Sequence, residues 1–119
     1  MATNPVCTRF HEAVELIGAR WTGAILQVLM RGRTRYADLR TAVPDISDRM
    51  LSERLRELEH AEIVVRHVSA EPPVRVDYEL TKKGRALEPA LNAIGAWAES
   101  WISAPGKAEL TGVPARKRR

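Results

Sequence analysis

One cysteine in 119 residues leaves no partner within the chain for a disulfide, so packing alone must hold the fold. The three histidines (His11, His60, His67) stand too far apart for metal-ligand spacing, and neither a metal nor a cofactor is expected. No apolar run approaches the roughly 20 residues of a membrane span, and Met1 to Pro5 lacks the basic and apolar regions of a signal peptide. The expected location is cytoplasmic, with no membrane partner. Catalytic signatures are missing as well. No nucleophile is paired with a base, no carboxylates are paired, and Gly18, Gly23 and Gly32 do not form a phosphate-cradling loop, so no catalytic residue is assigned and an enzyme is not expected.

What is present fits a single domain, since 45% hydrophobic content supports one modest core at this length. The formal charge of +4 is unevenly placed. Beyond Pro105, Lys107, Arg116, Lys117, Arg118 and Arg119 face only Glu109, and this tail accounts for the whole excess. Residues 105–119 are expected to be a disordered basic tail, and residues 7–104 the folded domain. Within the formally neutral remainder, Arg31, Arg33, Arg35, Arg40, Arg49, Arg54 and Arg56 outnumber Asp38, Asp45, Asp48 and Glu53. Basic charge is therefore concentrated in one segment.

That segment also carries the clearest pattern. Tyr36 to Val43 reads as a short helix, and Pro44-Asp45 as a turn. Ser47 is a good N-cap for a helix to Ala61 on which Leu51, Leu55 and Leu58 recur at helical spacing, with Arg49, Ser52, Glu53 and Arg56 on the other side. Two β-rich runs follow, Val64 to Val68 and a second in which Val76, Tyr78 and Leu80 alternate with Arg75, Asp77 and Glu79. Glu71-Pro72-Pro73 separates them and stiffens the tip. Helix, turn, helix and β-hairpin wing in this order point to duplex DNA.

Flanking helices complete the reading. Thr8 to Ala19 forms one, with Phe10, Val14 and Ile17 on a face; Thr22 caps the next, whose Ile25, Val28 and Leu29 face the core and which Gly32 terminates. After the wing, Thr81 begins a long helix in which Leu87, Leu91, Ile94, Trp97 and Trp101 recur every three or four residues, with a kink or a restart expected near Glu88 because Pro89 falls within it, and which Pro105-Gly106 ends. The fold class is α+β, mainly α: a winged helix-turn-helix with flanking helices.

Five strings, Arg20-Trp21-Thr22, Arg35-Tyr36-Ala37-Asp38-Leu39, Ile46 to Glu59, Pro72-Pro73 and Tyr78-Glu79-Leu80-Thr81-Lys82-Lys83-Gly84, closely resemble HxlR-type transcriptional regulators, a branch of the MarR-like winged-helix proteins. The resemblance spans about Cys7 to Trp101. The sequence departs from it at Ala19, and at Ala61-Glu62-Ile63 where Asp-Gly-Leu is common. The resemblance implies a homodimer built from the first and last helices, placing Phe10, Val14, Leu91, Ile94, Trp97 and Trp101 at the interface; the alternative is that Trp97 and Trp101 cap the monomer's own core. It also implies repression as the commoner role.

Candidate DNA contacts are Arg33, Arg35, Ser47, Arg49, Ser52, Glu53, Arg56 and, on the wing, Arg75. Arginine reads guanine edges or phosphate, and Glu53 can accept from cytosine. The plain alternative for each is a solvated helix face, and for the domain a winged helix that docks protein instead of DNA. Cys7 lies near a helix start, Arg9 and His11, surroundings that favour thiolate. The resemblance implies sensing of quinones, aldehydes or oxidants there, against the alternative of a small filler at the dimer interface. A small-molecule effector is a further candidate partner, seated near Trp21, Trp97 or Trp101 unless those rings are simply core.

Overall fold

The computed structural model describes residues 7–103. The order of elements is α1 (Thr8–Ile17), α2 (Thr22–Leu29), β1 (Thr34–Arg35), α3 (Tyr36–Ala42), α4 (Asp48–His60), β2 (Val64–Val68), β3 (Val76–Leu80), α5 (Lys82–Arg85) and α6 (Glu88–Trp101). The strands form one antiparallel sheet in the order β1-β3-β2, with Thr34 opposite Tyr78 and Val64 opposite Leu80. This is a mainly α winged helix-turn-helix, with α3 and α4 as the helix pair and β2-β3 as the wing. The chain divides into two compact units after Ala86, the second containing α6.

The core of the first unit lies where α2, α3, α4 and the sheet converge. Ile25, Leu26 and Leu29 of α2, Leu39 of α3, and Leu51, Leu55 and Leu58 of α4 are all at most 1% exposed, and Val64, Tyr78 and Leu80 close the sheet side. The leucine spacing on α4 turns one stripe inward, so truncating any of the three should cost about 2–5 kcal/mol. The turn into α4 uses Pro44 followed by Asp45 at φ 73, and Val43 O accepts from Ile46 N at 3.4 Å. Ser47 then caps the helix by accepting from Met50 N at 3.0 Å.

α4 ends in a Schellman motif. Ile63 N–H reaches back to Leu58 O at 2.8 Å, Glu62 N–H to Glu59 O at 2.9 Å, and Glu62 itself takes the left-handed conformation at φ 65. The buried pair Leu58 and Ile63 supplies the apolar contact that goes with this cap. The Thr81-to-Gly84 string docks on the same corner: Thr81 N–H donates to Ile63 O at 3.0 Å, its hydroxyl donates to Glu62 O at 2.6 Å, and Lys83 Nζ donates to Ala61 O at 2.8 Å. A Cβ at Gly84 would collide with the Ile63 carbonyl oxygen, so only glycine permits this approach.

Three local expectations change. α2 is not capped by Thr22. Trp21 holds the N-cap position at φ 77, and Thr22 is already helical because its N–H closes a tight turn onto Ala19 O at 3.0 Å. The Thr22 hydroxyl is consequently buried without a hydrogen-bond partner among the described residues. α1 ends at Ile17, with Gly18 as C-cap, because the short link to α2 leaves no further turn. Asp77, which alternation sends to solvent, is instead 9% exposed. α6 restarts at Glu88 with Pro89 in its first turn, where the missing N–H is harmless; the helix closes at Trp101, and the expected Pro105-Gly106 stop and basic tail lie outside the described residues.

Candidate nucleic-acid interface

The outer side of α4 is fixed by polar contacts before any ligand arrives. The Tyr36 hydroxyl lies 3.2 Å from Asp48 O, 3.3 Å from its carboxylate and 3.0 Å from Ser52 Oγ. Arg40 pairs with the same carboxylate at 3.2 Å, so α3 is tied to the first turn of α4 at two points. On the opposite flank Arg54 donates from Nε to Arg20 O at 2.8 Å and pairs with Glu57 at 2.8 Å. Arg20 in turn stacks on Trp21, 5.0 Å from its ring centre. Arg54 therefore braces α4 against the connection into α2 and is withdrawn from the surface charge.

Arg49 and Arg56 are exposed on α4, with Glu53 half-buried between them in sequence. Ser47 has its oxygen engaged as cap and Ser52 its hydroxyl on Tyr36, so both enter the face as frame more than as free donors. Between α4 and the wing runs a cleft of about 430 Å³, lined by Arg35, Tyr36, Ser52, Arg66, Arg75 and Tyr78 among others. An adjoining hollow of about 370 Å³ shares Ser52, Arg66 and Tyr78 and adds Arg56 and Glu59. Across the two hollows Arg35, Arg56, Arg66 and Arg75 outnumber the single carboxylate of Glu59, so this side of the domain carries a cationic surface. Burial raises the Tyr78 phenol above its ordinary value, an effect that the neighbouring Arg66 partly offsets, so Tyr78 is a neutral hydroxyl near pH 7.

The fold brings Arg35, Ser52, Arg56 and Arg75 of the expected residues to this cleft, leaves Arg49 on the outer face of α4, and sets Arg33 apart in an ion pair with Asp77 at 3.1 Å. Arg75 is fixed at the tip end of the wing, just before β3, where its N–H donates to Ser69 Oγ at 2.9 Å and its carbonyl accepts from Ser69 N at 2.9 Å. Arg66, Tyr36 and Tyr78 join the site without having stood out in the sequence. Counting by two from buried Val64 puts Arg66 on the strand face that looks toward α4, a signal available from alternation alone.

The candidate dimer residues are consistent with an uncovered apolar surface on each unit. Phe10 is 68% and Val14 46% exposed on α1; on α6, Ile94 is 54%, Trp97 57% and Trp101 75% exposed, and Leu91 is half-buried. Cys7 is exposed and free at the N-cap of α1. Among the described residues no group of histidine, cysteine, aspartate or glutamate is placed to hold a metal, and no helix is long and apolar enough to cross a membrane.

A capped helix with a buried leucine stripe and an arginine-bearing outer face, set beside a wing with a cationic cleft, defines a winged helix-turn-helix DNA-binding domain. The chain belongs to the HxlR-like helix-turn-helix family of transcriptional regulators, whose model matches residues 16–105. It is 44% identical over 102 residues to the HTH-type transcriptional regulator YvaP of Bacillus subtilis, spanning 86% of this chain and 94% of that one. To the HTH-type transcriptional regulator YodB of the same organism it is 45% identical over 103 residues, 87% of this chain and 91% of YodB. The reduced form of YodB superposes with a TM-score of 0.75 at 42% identity, covering 85% of this chain and 99% of that one, and YodB also has diamide-treated and quinone-bound structures. The redox regulator HypR in its oxidized form matches with a TM-score of 0.75 at 35% identity, over 81% of this chain and 99% of its own.

Proposed function

We propose that this regulator is a cytoplasmic homodimeric repressor that holds a pseudo-palindromic operator and leaves it when an electrophile or oxidant reaches Cys7. The observation that carries the DNA part is the pairing of Arg49 and Arg56 on α4 with Arg35, Arg66 and Arg75 in the cleft beside the wing. In a dimer joined through the apolar faces of α1 and α6, the two copies of α4 enter successive major grooves about 34 Å apart. Arg49, Glu53 and Arg56 then meet base edges, while Arg35, Arg66 and Arg75 take phosphates on either side.

No cofactor is required and no catalysis is assigned to the chain. Salt dependence separates DNA binding from a protein-docking role for α4, because each neutralised phosphate releases counterions. Affinity for duplex should fall steeply from low to moderate salt. A salt-insensitive interaction with duplex would overturn the reading in favour of a protein partner.

The signal enters through one thiol per chain. Exposure suffices for alkylation of Cys7, whereas a bond between two copies requires Cα atoms within about 7 Å, so alkylation is the less demanding route. One relative, YodB, has been solved in quinone-bound and diamide-treated forms, which supports this choice of reagents. Treatment with a quinone or diamide should release operator from the parent and spare Cys7→Ser, with adducts followed by intact mass. Equal loss in both proteins, or in neither, makes Cys7 a packing residue.

A further inference from the structure

Asp77 occupies a position that neither alternation nor DNA binding explains. It sits on the central strand β3, opposite Arg35 of β1 and His67 of β2, on the sheet face away from Val64 and Leu80. A carboxylate there would ordinarily be solvated, yet only 9% of the residue is exposed. Arg33 Nε donates to Oδ2 at 3.1 Å, while Oδ1 is buried and has no hydrogen-bond partner among the described residues. Burying a carboxylate with one oxygen unsatisfied works against stability, so its presence is better explained by where it holds the chain.

The pair joins two segments that are distant in sequence. Arg33 lies in the turn after α2, which Thr34 tightens by donating from Oγ1 to Gly32 O at 2.8 Å, and Asp77 lies two residues past Arg75 on β3, where β1 pairs with the wing. β1 adds a short two-residue pairing to β3, Thr34 with Tyr78 and Arg35 with Asp77, so few backbone bonds fix the wing to the helical body. The ion pair sits beside that ladder. Nε is committed to Asp77, while 49% of the Arg33 side chain stays exposed.

We propose that Asp77 is the positioning residue of the wing and Arg33 its anchor, the two together setting where Arg75 and Arg66 meet the DNA backbone. This rests on the DNA-binding reading above for its consequence, but not for its structural content. Net charge gives the opposite expectation: Asp77→Asn removes a negative group near phosphate and frees Arg33, which by electrostatics alone should tighten binding.

The test uses full-length parent, Asp77→Asn, Arg33→Lys, Arg75→Ala and the double variant Asp77→Asn with Arg75→Ala. Binding to one operator duplex is measured over a salt series, and amide hydrogen exchange is measured without DNA. Asp77→Asn should bind more weakly than the parent, and the slope of log affinity against log salt should drop by about 0.9 for each phosphate that is no longer neutralised. Arg75→Ala should add little in the Asp77→Asn background, while exchange from Ser69 to Arg75 speeds up and α4 stays protected. Arg33→Lys keeps the charge, loses the Nε geometry, and should follow Asp77→Asn; it decides the matter if the asparagine variant does not fold. Equal or tighter binding, a fully additive Arg75→Ala effect, or unchanged wing exchange overturns the proposal. A parent that fails to bind duplex refutes the DNA reading instead, and the exchange data then decide the wing's anchoring alone.

Discussion

Glu62 offers the sharpest stability test of the fold. It is the left-handed residue of the cap that ends α4, at φ 65, a conformation that costs an L-residue about 1–2 kcal/mol. Glycine there carries no such penalty but loses more backbone freedom on folding, about 0.5–1 kcal/mol, leaving a net gain near 0.5–1 kcal/mol. A second term adds to it, because an exposed carboxylate at a helix C-terminus opposes the dipole by about 0.3–1 kcal/mol. The two terms separate by substitution: Glu62→Ala removes the charge and keeps the strain, Glu62→Gly removes both. Neither disturbs the Thr81 hydroxyl, which bonds the backbone carbonyl. Urea unfolding at matched protein concentration should rank glycine above alanine by about 1 kcal/mol, with a melting shift of roughly 4–8 °C per kcal/mol for a domain of this size. If glycine is no more stable than alanine, the left-handed cap carries no strain.

Three further outcomes are expected. Arg49→Ala and Arg56→Ala should each cost about 1–3 kcal/mol on a specific operator and little on a scrambled duplex if they read bases; folded variants that bind the operator like the parent put the reading face elsewhere. Trp97→Ala removes a ring 57% exposed in the single chain and should dissociate the dimer, by about 3–5 kcal/mol where that ring is buried by a second copy; sedimentation equilibrium showing a monomeric parent at micromolar concentration rejects this interface. Deleting Arg116 to Arg119 should weaken binding to all sequences alike and flatten the salt slope, and an unchanged slope would remove the tail from the DNA.

The helix-turn-helix and wing were legible because their signals are local. Ser47 as cap, the Leu51-Leu55-Leu58 stripe, the limits of Val64–Val68 and the interruption near Glu88, as a kink or a restart, each depend on neighbours within a turn or two. What escaped depends on pairs far apart in sequence. Nothing near Asp77 announces that Arg33, 44 residues away, supplies the partner for its buried carboxylate, or that Arg54 bonds a carbonyl at Arg20. The cleft was half legible: Arg35, Ser52, Arg56 and Arg75 stood out by charge or helix face, whereas Tyr36 and Tyr78 passed as ordinary aromatics. Trp21 misled because a threonine next to a helix start is a better cap on average than a left-handed tryptophan.

The bracing of α4 has an evolutionary corollary. Tyr36, Arg40 and Asp48 hold its first turn, Arg54 and Glu57 its flank, and the leucines its inner side, so those positions are committed to keeping the helix in place. Arg49, Glu53 and Arg56 take no part in that bracing and lie outside the core. With those three side chains as the proposed reading face, a descendant could exchange them, and with them its preferred operator, while inheriting the same helix at the same angle. Paralogues within one genome could then diverge in target by substitutions at a few positions without first having to rebuild a scaffold.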